Sequence, residues 1–93
     1  MYKIQRTDHA KLTQGLLRLC CMIPKYFYQP YESKTDCRQL LATIHHLALD
    51  TQFLRRNKWE PLFTAYNIQK TDERIYIESL IGKAYLEFNI VEV

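Results

Sequence analysis

Apolar residues recur along the chain in two different rhythms, and the rhythms set the elements. Tyr2-Lys3-Ile4-Gln5-Arg6 alternates apolar and polar positions, which predicts a short edge strand. Thr7-Asp8 follows as a helix N-cap, and Leu12, Leu16, Leu19 and Ile23 then repeat at four-three-four spacing. That spacing lines one helix face, with Lys11, Gln14 and Arg18 on the other. Pro24 ends this helix, because proline pushes the preceding residue out of the α region.

After a polar return at Glu32-Ser33-Lys34, Thr35 or Asp36 offers a second N-cap. Leu40, Ile44, Leu47 and Leu54 form the stripe of the helix that follows, broadened by Cys37, Leu41 and Ala48. It runs to about Asn57, where Arg55, Arg56 and Lys58 complement the negative end of the helix dipole. Trp59, Leu62, Phe63, Tyr66 and Ile68 predict a short third helix, with Pro61 in its first turn and residues 69–72 as a connection.

The tail carries both rhythms. Ile77, Ile81, Ala84, Phe88 and Val91 keep heptad-like spacing, whereas Ala84, Leu86, Phe88 and Ile90 alternate. A helix over 72–81 with Gly82 as its C-cap, followed by a strand, is the favoured reading. A hairpin turning near Gly82-Lys83 is the alternative. The closing strand is expected to pair with Tyr2–Arg6. The resulting expectation is a mainly α, α-rich α+β domain: three to four helices with short terminal strands possibly paired.

Ninety-three residues allow a single globular domain, 1–93. Two glycines and three prolines argue against disorder and against a many-turned all-β fold. The opening lacks the apolar core of a signal peptide, and the longest apolar run, Leu19 to Ile23, is too short to span a bilayer. Cytoplasmic location and no membrane partner are therefore expected. Cys20, Cys21 and Cys37 are odd in number, and two are adjacent, which favours reduced thiols over a disulfide scaffold. The net charge of +3 is uneven. Residues 1–58 hold ten Lys/Arg against four acids, and residues 59–93 hold three against six.

The candidate chemistries thin out quickly. Adjacent Cys20-Cys21 and His45-His46 lack the two close pairs that pre-form a tetrahedral zinc site, so neither a metal nor another cofactor is expected. Isolated glycines, Gly15 and Gly82, exclude a phosphate-cradling loop. Ser33 and Ser79 lack a nucleophile-elbow context. No catalytic residue is assigned.

Arg38 and His45 lie seven residues apart on one predicted helix face. Their spacing resembles the Arg-x4-6-His motif of HEPN-type ribonucleases, helical enzymes that build their site across a dimer. The resemblance implies an arginine holding the scissile phosphate and a histidine transferring a proton. Gln39 stands where that family prefers Asn, Asp or His. The opening strand-then-helix in a small basic chain also resembles RelE-type toxins. Those continue into an arginine-rich antiparallel sheet, whereas residues 36–68 here read as helix.

What remains is an aromatic cluster. Pro24-Lys25-Tyr26-Phe27-Tyr28-Gln29-Pro30-Tyr31 places three tyrosines and a phenylalanine between two helices, where a connection is normally polar. Tyrosine, tryptophan and arginine are enriched in interfaces because they bury large area at low entropic cost. The expected surface comprises Lys25, Tyr26, Tyr28 and Tyr31, flanked by Arg55, Arg56 and Lys58, while Phe27 plugs the core. The reading is a small non-enzymatic binding protein of inhibitor, adaptor or immunity type, with a protein partner or a second copy of itself. A nucleic-acid binder using the same groups is the runner-up, and a dimeric ribonuclease the third.

Overall fold

The computed structural model describes residues 1–8, 14–57, 66–79 and 84–93, with the backbone alone for 14, 15 and 51–57. In chain order the elements are β1 (Tyr2–Arg6), α1 (Gln14–Met22), a 3₁₀ turn (Lys25–Tyr28), α2 (Lys34–Asn57), β2 (Tyr66–Lys70), β3 (Arg74–Ser79) and β4 (Tyr85–Glu92). The strands form one antiparallel sheet in the order β1-β4-β3-β2. Among the described residues, two α-helices beside a four-stranded sheet make this an α+β fold. The expectation of a mainly α domain with three to four helices is overturned.

The sheet explains why. In β3, Ile75, Ile77 and Ser79 point inward and are buried, while Arg74, Tyr76 and Glu78 alternate on the other side. That is a period of two, not 3.6. Pairing on both flanks, Ile75↔Phe88 and Ile77↔Leu86 on one and Ile68↔Ile77 on the other, gives β-branched residues the pleated, half-buried surface they fit best. Of the predicted helix over 72–81, Asp72 and Glu73 form a turn and Arg74–Ser79 a strand. The heptad spacing joins Ile77 of β3 to Phe88 and Val91 of β4.

Tyr66 and Ile68, assigned to a third helix, lie in β2, as do Gln69 and Lys70 of the predicted connection. Trp59, Leu62 and Phe63 lie outside the described residues. The β2–β3 turn at Asp72-Glu73 contains no glycine. The Thr71 amide donates to the Arg74 carbonyl at 2.8 Å, and the Glu73 amide to Thr71 Oγ1 at 3.4 Å. A threonine side chain fixes the turn that the glycine count argued against.

The paired termini are observed: β1 runs against β4 with Ile4↔Ile90 and Arg6↔Phe88 in register. One face of the sheet carries Ile4, Tyr66, Ile75, Ile77, Leu86 and Phe88 into the core. Leu16 and Leu19 of α1, Ile23 just beyond it, Phe27, and Cys37, Leu41, Ile44 and Ala48 of α2 close over it. Leu40 and Leu47, placed at the centre of the α2 stripe, are only half-buried, so the helix is turned toward its smaller residues. Ser33, rather than Thr35 or Asp36, caps α2; its Oγ accepts from the Thr35 amide at 3.1 Å. Asp36 then sits in the first turn, where the helix dipole favours a negative charge. No helix among the described residues is long and apolar enough to cross a membrane.

Candidate docking face

The aromatic cluster is divided by the 3₁₀ turn. Phe27 points inward and is 3% exposed, while Tyr26 points out at 53%. Their rings meet edge to face, with centroids 4.9 Å apart. Tyr28 is half-buried against Phe88, centroids 6.2 Å apart. Burial, reinforced by Cys20, pushes its hydroxyl up to about 12. Tyr31 is also half-buried. Its backbone pairs with Tyr2 through bonds of 2.8 and 2.7 Å, and its hydroxyl donates to the Tyr26 carbonyl at 2.6 Å. Of the predicted surface residues in the cluster, then, Lys25 and Tyr26 are exposed, and Tyr28 and Tyr31 are half-buried.

The side chains of the other three predicted surface residues lie outside the described residues. Arg55 and Arg56 belong to the last turns of α2, where only the backbone is described, and Lys58 lies outside the described residues.

A second exposed set lies on α1. At about 100° per residue, Leu16, Leu19 and Ile23 centre the buried side of α1, and Leu17, Arg18, Cys21 and Met22 span the opposite side. Three of those four are apolar. Leu17 is 52% exposed and Met22 48%. A helix apolar all round is normally covered all round, yet α1 is covered on one side. Leu17, Cys21 and Met22 are exposed on its outer side, and Tyr26 is exposed in the 3₁₀ turn that follows. The signal was present in Leu16-Leu17-Arg18-Leu19-Cys20-Cys21-Met22, where the core stripe accounts for only part of the apolar residues.

By contrast, the uncovered side of the sheet satisfies itself. Glu87 pairs with Arg74 and accepts from Thr7 Oγ1 at 2.6 Å and Asn89 Nδ2 at 3.1 Å. These bonds, Thr7 first, hold its carboxyl below the usual range. Tyr76 stacks on Tyr85 at 5.3 Å, and the Arg74 guanidinium lies over Tyr76. Nearby polar groups are matched among themselves, which leaves little for a ligand to satisfy.

The Arg38–His45 pair sits on α2. The Arg38 guanidinium donates to Glu73 at 3.4 Å, and Lys34 pairs with the same carboxylate. Burial, then Lys70 and His46, push the His45 imidazole below its usual range. Contacts from Lys34 and Arg38 to Glu73 also interleave the two oppositely charged parts of the chain. Arg6 and Arg74 are the arginines of the described strands, unlike an arginine-rich sheet. Among the described residues no group of three His, Cys, Asp or Glu is placed to hold a metal ion. No protein-family model matches the chain, and no curated protein or solved structure matches it.

Proposed function

We propose that this is a small non-enzymatic binding protein whose docking face is the outer side of α1 together with Lys25 and Tyr26. One observation carries the reading: the side of α1 turned away from the core is apolar at Leu17, Cys21 and Met22. Exposed contiguous apolar surface rimmed by polar residues marks interaction sites in soluble proteins. Fully burying a large apolar side chain gains roughly 1.5–3 kcal/mol, so the half-exposed Leu17, Met22 and Tyr26 each hold about 1 kcal/mol in reserve. Together these are worth roughly a hundredfold in affinity. That magnitude suits a reversible protein interface.

The test is capture of a protein from the native host by the wild type and by Leu17→Lys/Tyr26→Ala. Both altered residues are exposed, so the variant keeps its fold by circular dichroism. Loss of the captured protein supports the face; equal capture places binding elsewhere. A nucleic-acid partner would show itself through binding that collapses between about 50 and 200 mM salt.

A further inference from the structure

We infer that the partner segment seated on this face is acidic and amphipathic, an inference that rests on the docking reading above and names its chemistry. From position 9 to position 31 the chain contains no aspartate or glutamate. The face itself carries two exposed cations, Arg18 on the outer side of α1 and Lys25 at the start of the 3₁₀ turn. Arg6, Lys34, Arg38 and Arg74 each meet a carboxylate within the fold. Among the described residues none is paired with Arg18 or Lys25. The acids nearest in sequence are Asp8, whose side chain is fully buried and held by Arg6, and Glu32, which is exposed beyond Tyr31.

Arg18 stands between Leu17 and Met22 around the helix, so a partner that covers the apolar residues must also cover its charge. Covering an unpaired cation is costly unless a counter-charge comes with the partner. Carboxylates beside an apolar stripe meet both demands, as on a helix with apolar residues at i, i+3, i+4 and i+7 and Glu or Asp on its flanks. A second copy does not meet them. Two such faces bring like charges together with no acid to separate them, and electrostatic complementarity selects against that pairing. An anionic bilayer supplies charge in its headgroup plane alone, whereas Arg18 lies among the apolar residues that would enter the acyl region.

The experiment is selection of a random display library of roughly 16-residue peptides, about four helical turns. Selection is on the wild-type chain, with counter-selection on Leu17→Lys. Tyr26→Ser is carried in parallel as a second disrupting variant. The expected result is enrichment of net-negative peptides with helically spaced apolar residues. Their affinity falls about tenfold or more on Arg18→Glu/Lys25→Glu, and equally when the peptide acids become amides. Peptides that discriminate wild type from Leu17→Lys yet are neutral or basic overturn the acidic partner while leaving the docking face standing. No peptide discriminating either disrupting variant overturns both. Self-association in sedimentation equilibrium that Leu17→Lys abolishes assigns the face to a second copy. Phosphatidylserine-vesicle binding that Leu17→Lys abolishes assigns it to a membrane. Either result overturns the inference.

Discussion

Arg6 grips the Asp8 carboxylate in two parallel hydrogen bonds, Nε to Oδ1 at 2.8 Å and Nη2 to Oδ2 at 2.9 Å. The Glu87 amide adds a third bond to Oδ1 at 3.3 Å, and Arg6 Nη1 reaches Cys20 Sγ at 3.7 Å. Two residues thus tie the end of β1 to β4 and to α1, the helix of the proposed docking face. The Asp8 side chain is fully buried, whereas that of Arg6 is 37% exposed. Asp8→Asn keeps the shape and removes the charge, leaving the pair unmatched. Charge-assisted hydrogen bonds of this kind contribute roughly 1.5–3 kcal/mol, and solvent around Arg6 lowers that to about 1–2. Urea titration is expected to show this loss in midpoint with an unchanged slope.

The same carboxylate sets an acid limit. Burial pushes the Asp8 carboxyl up, but the Arg6 and Glu87 hydrogen bonds and the Arg6 charge outweigh it and hold the group below its usual range. Glu87 is held low as well. Groups lowered by folding stabilise the native state fully above the unfolded carboxylate range, near about 4, and lose that contribution as pH falls through the lower folded values. Thermal midpoints followed downward from about pH 6 should fall for the wild type and fall less steeply for Asp8→Asn. Parallel curves would contradict the assignment.

Tyr28 imposes the opposite limit. Its neutral hydroxyl is favoured by burial, so this contribution is present below the ordinary tyrosine value and is lost as pH rises through about 12. Ultraviolet titration of tyrosinate should show a late step, coincident with alkaline unfolding, that Tyr28→Phe removes. Simultaneous ionisation of all seven tyrosines would show that the ring is not packed against Phe88.

Three thiols report on three depths. Cys21 is exposed, Cys20 half-buried beside Arg6, and Cys37 fully buried in the core. Burial raises the Cys20 and Cys37 thiols, which lowers their reactive thiolate fraction. Alkylation mapped by mass spectrometry is expected in the order Cys21, Cys20, Cys37, with the last requiring unfolding. A fast Cys37 would refute the α2 packing.

Much of the helical half was legible in the sequence. Pro24 stops α1, the Leu16/Leu19/Ile23 stripe is its buried face, and α2 ends where its basic tail begins. The strand at Tyr2–Arg6 and its pairing with the closing strand were legible too, because both alternate. Residues 74–79 were legible only in the alternative reading: β3 runs antiparallel to β4 as the hairpin near Gly82-Lys83 expects, whereas helix then strand is the favoured one. Their strand identity comes from neighbours on both flanks, β2 and β4, and a single chain segment does not display its partners. The docking face was half legible. The cluster pointed to Lys25 and Tyr26, but Leu17, Cys21 and Met22 stood hidden among core residues of the same type. Only the direction of α1 separates them.

Site-specific photo-cross-linking in living host cells tests the docking face most directly. A photoreactive side chain is placed at position 17, at position 26 and, on the far side of the sheet, at position 76. Positions 17 and 26 are expected to give the same protein adduct, with none at 76. Adducts to RNA, or to protein from position 76 alone, would contradict the account.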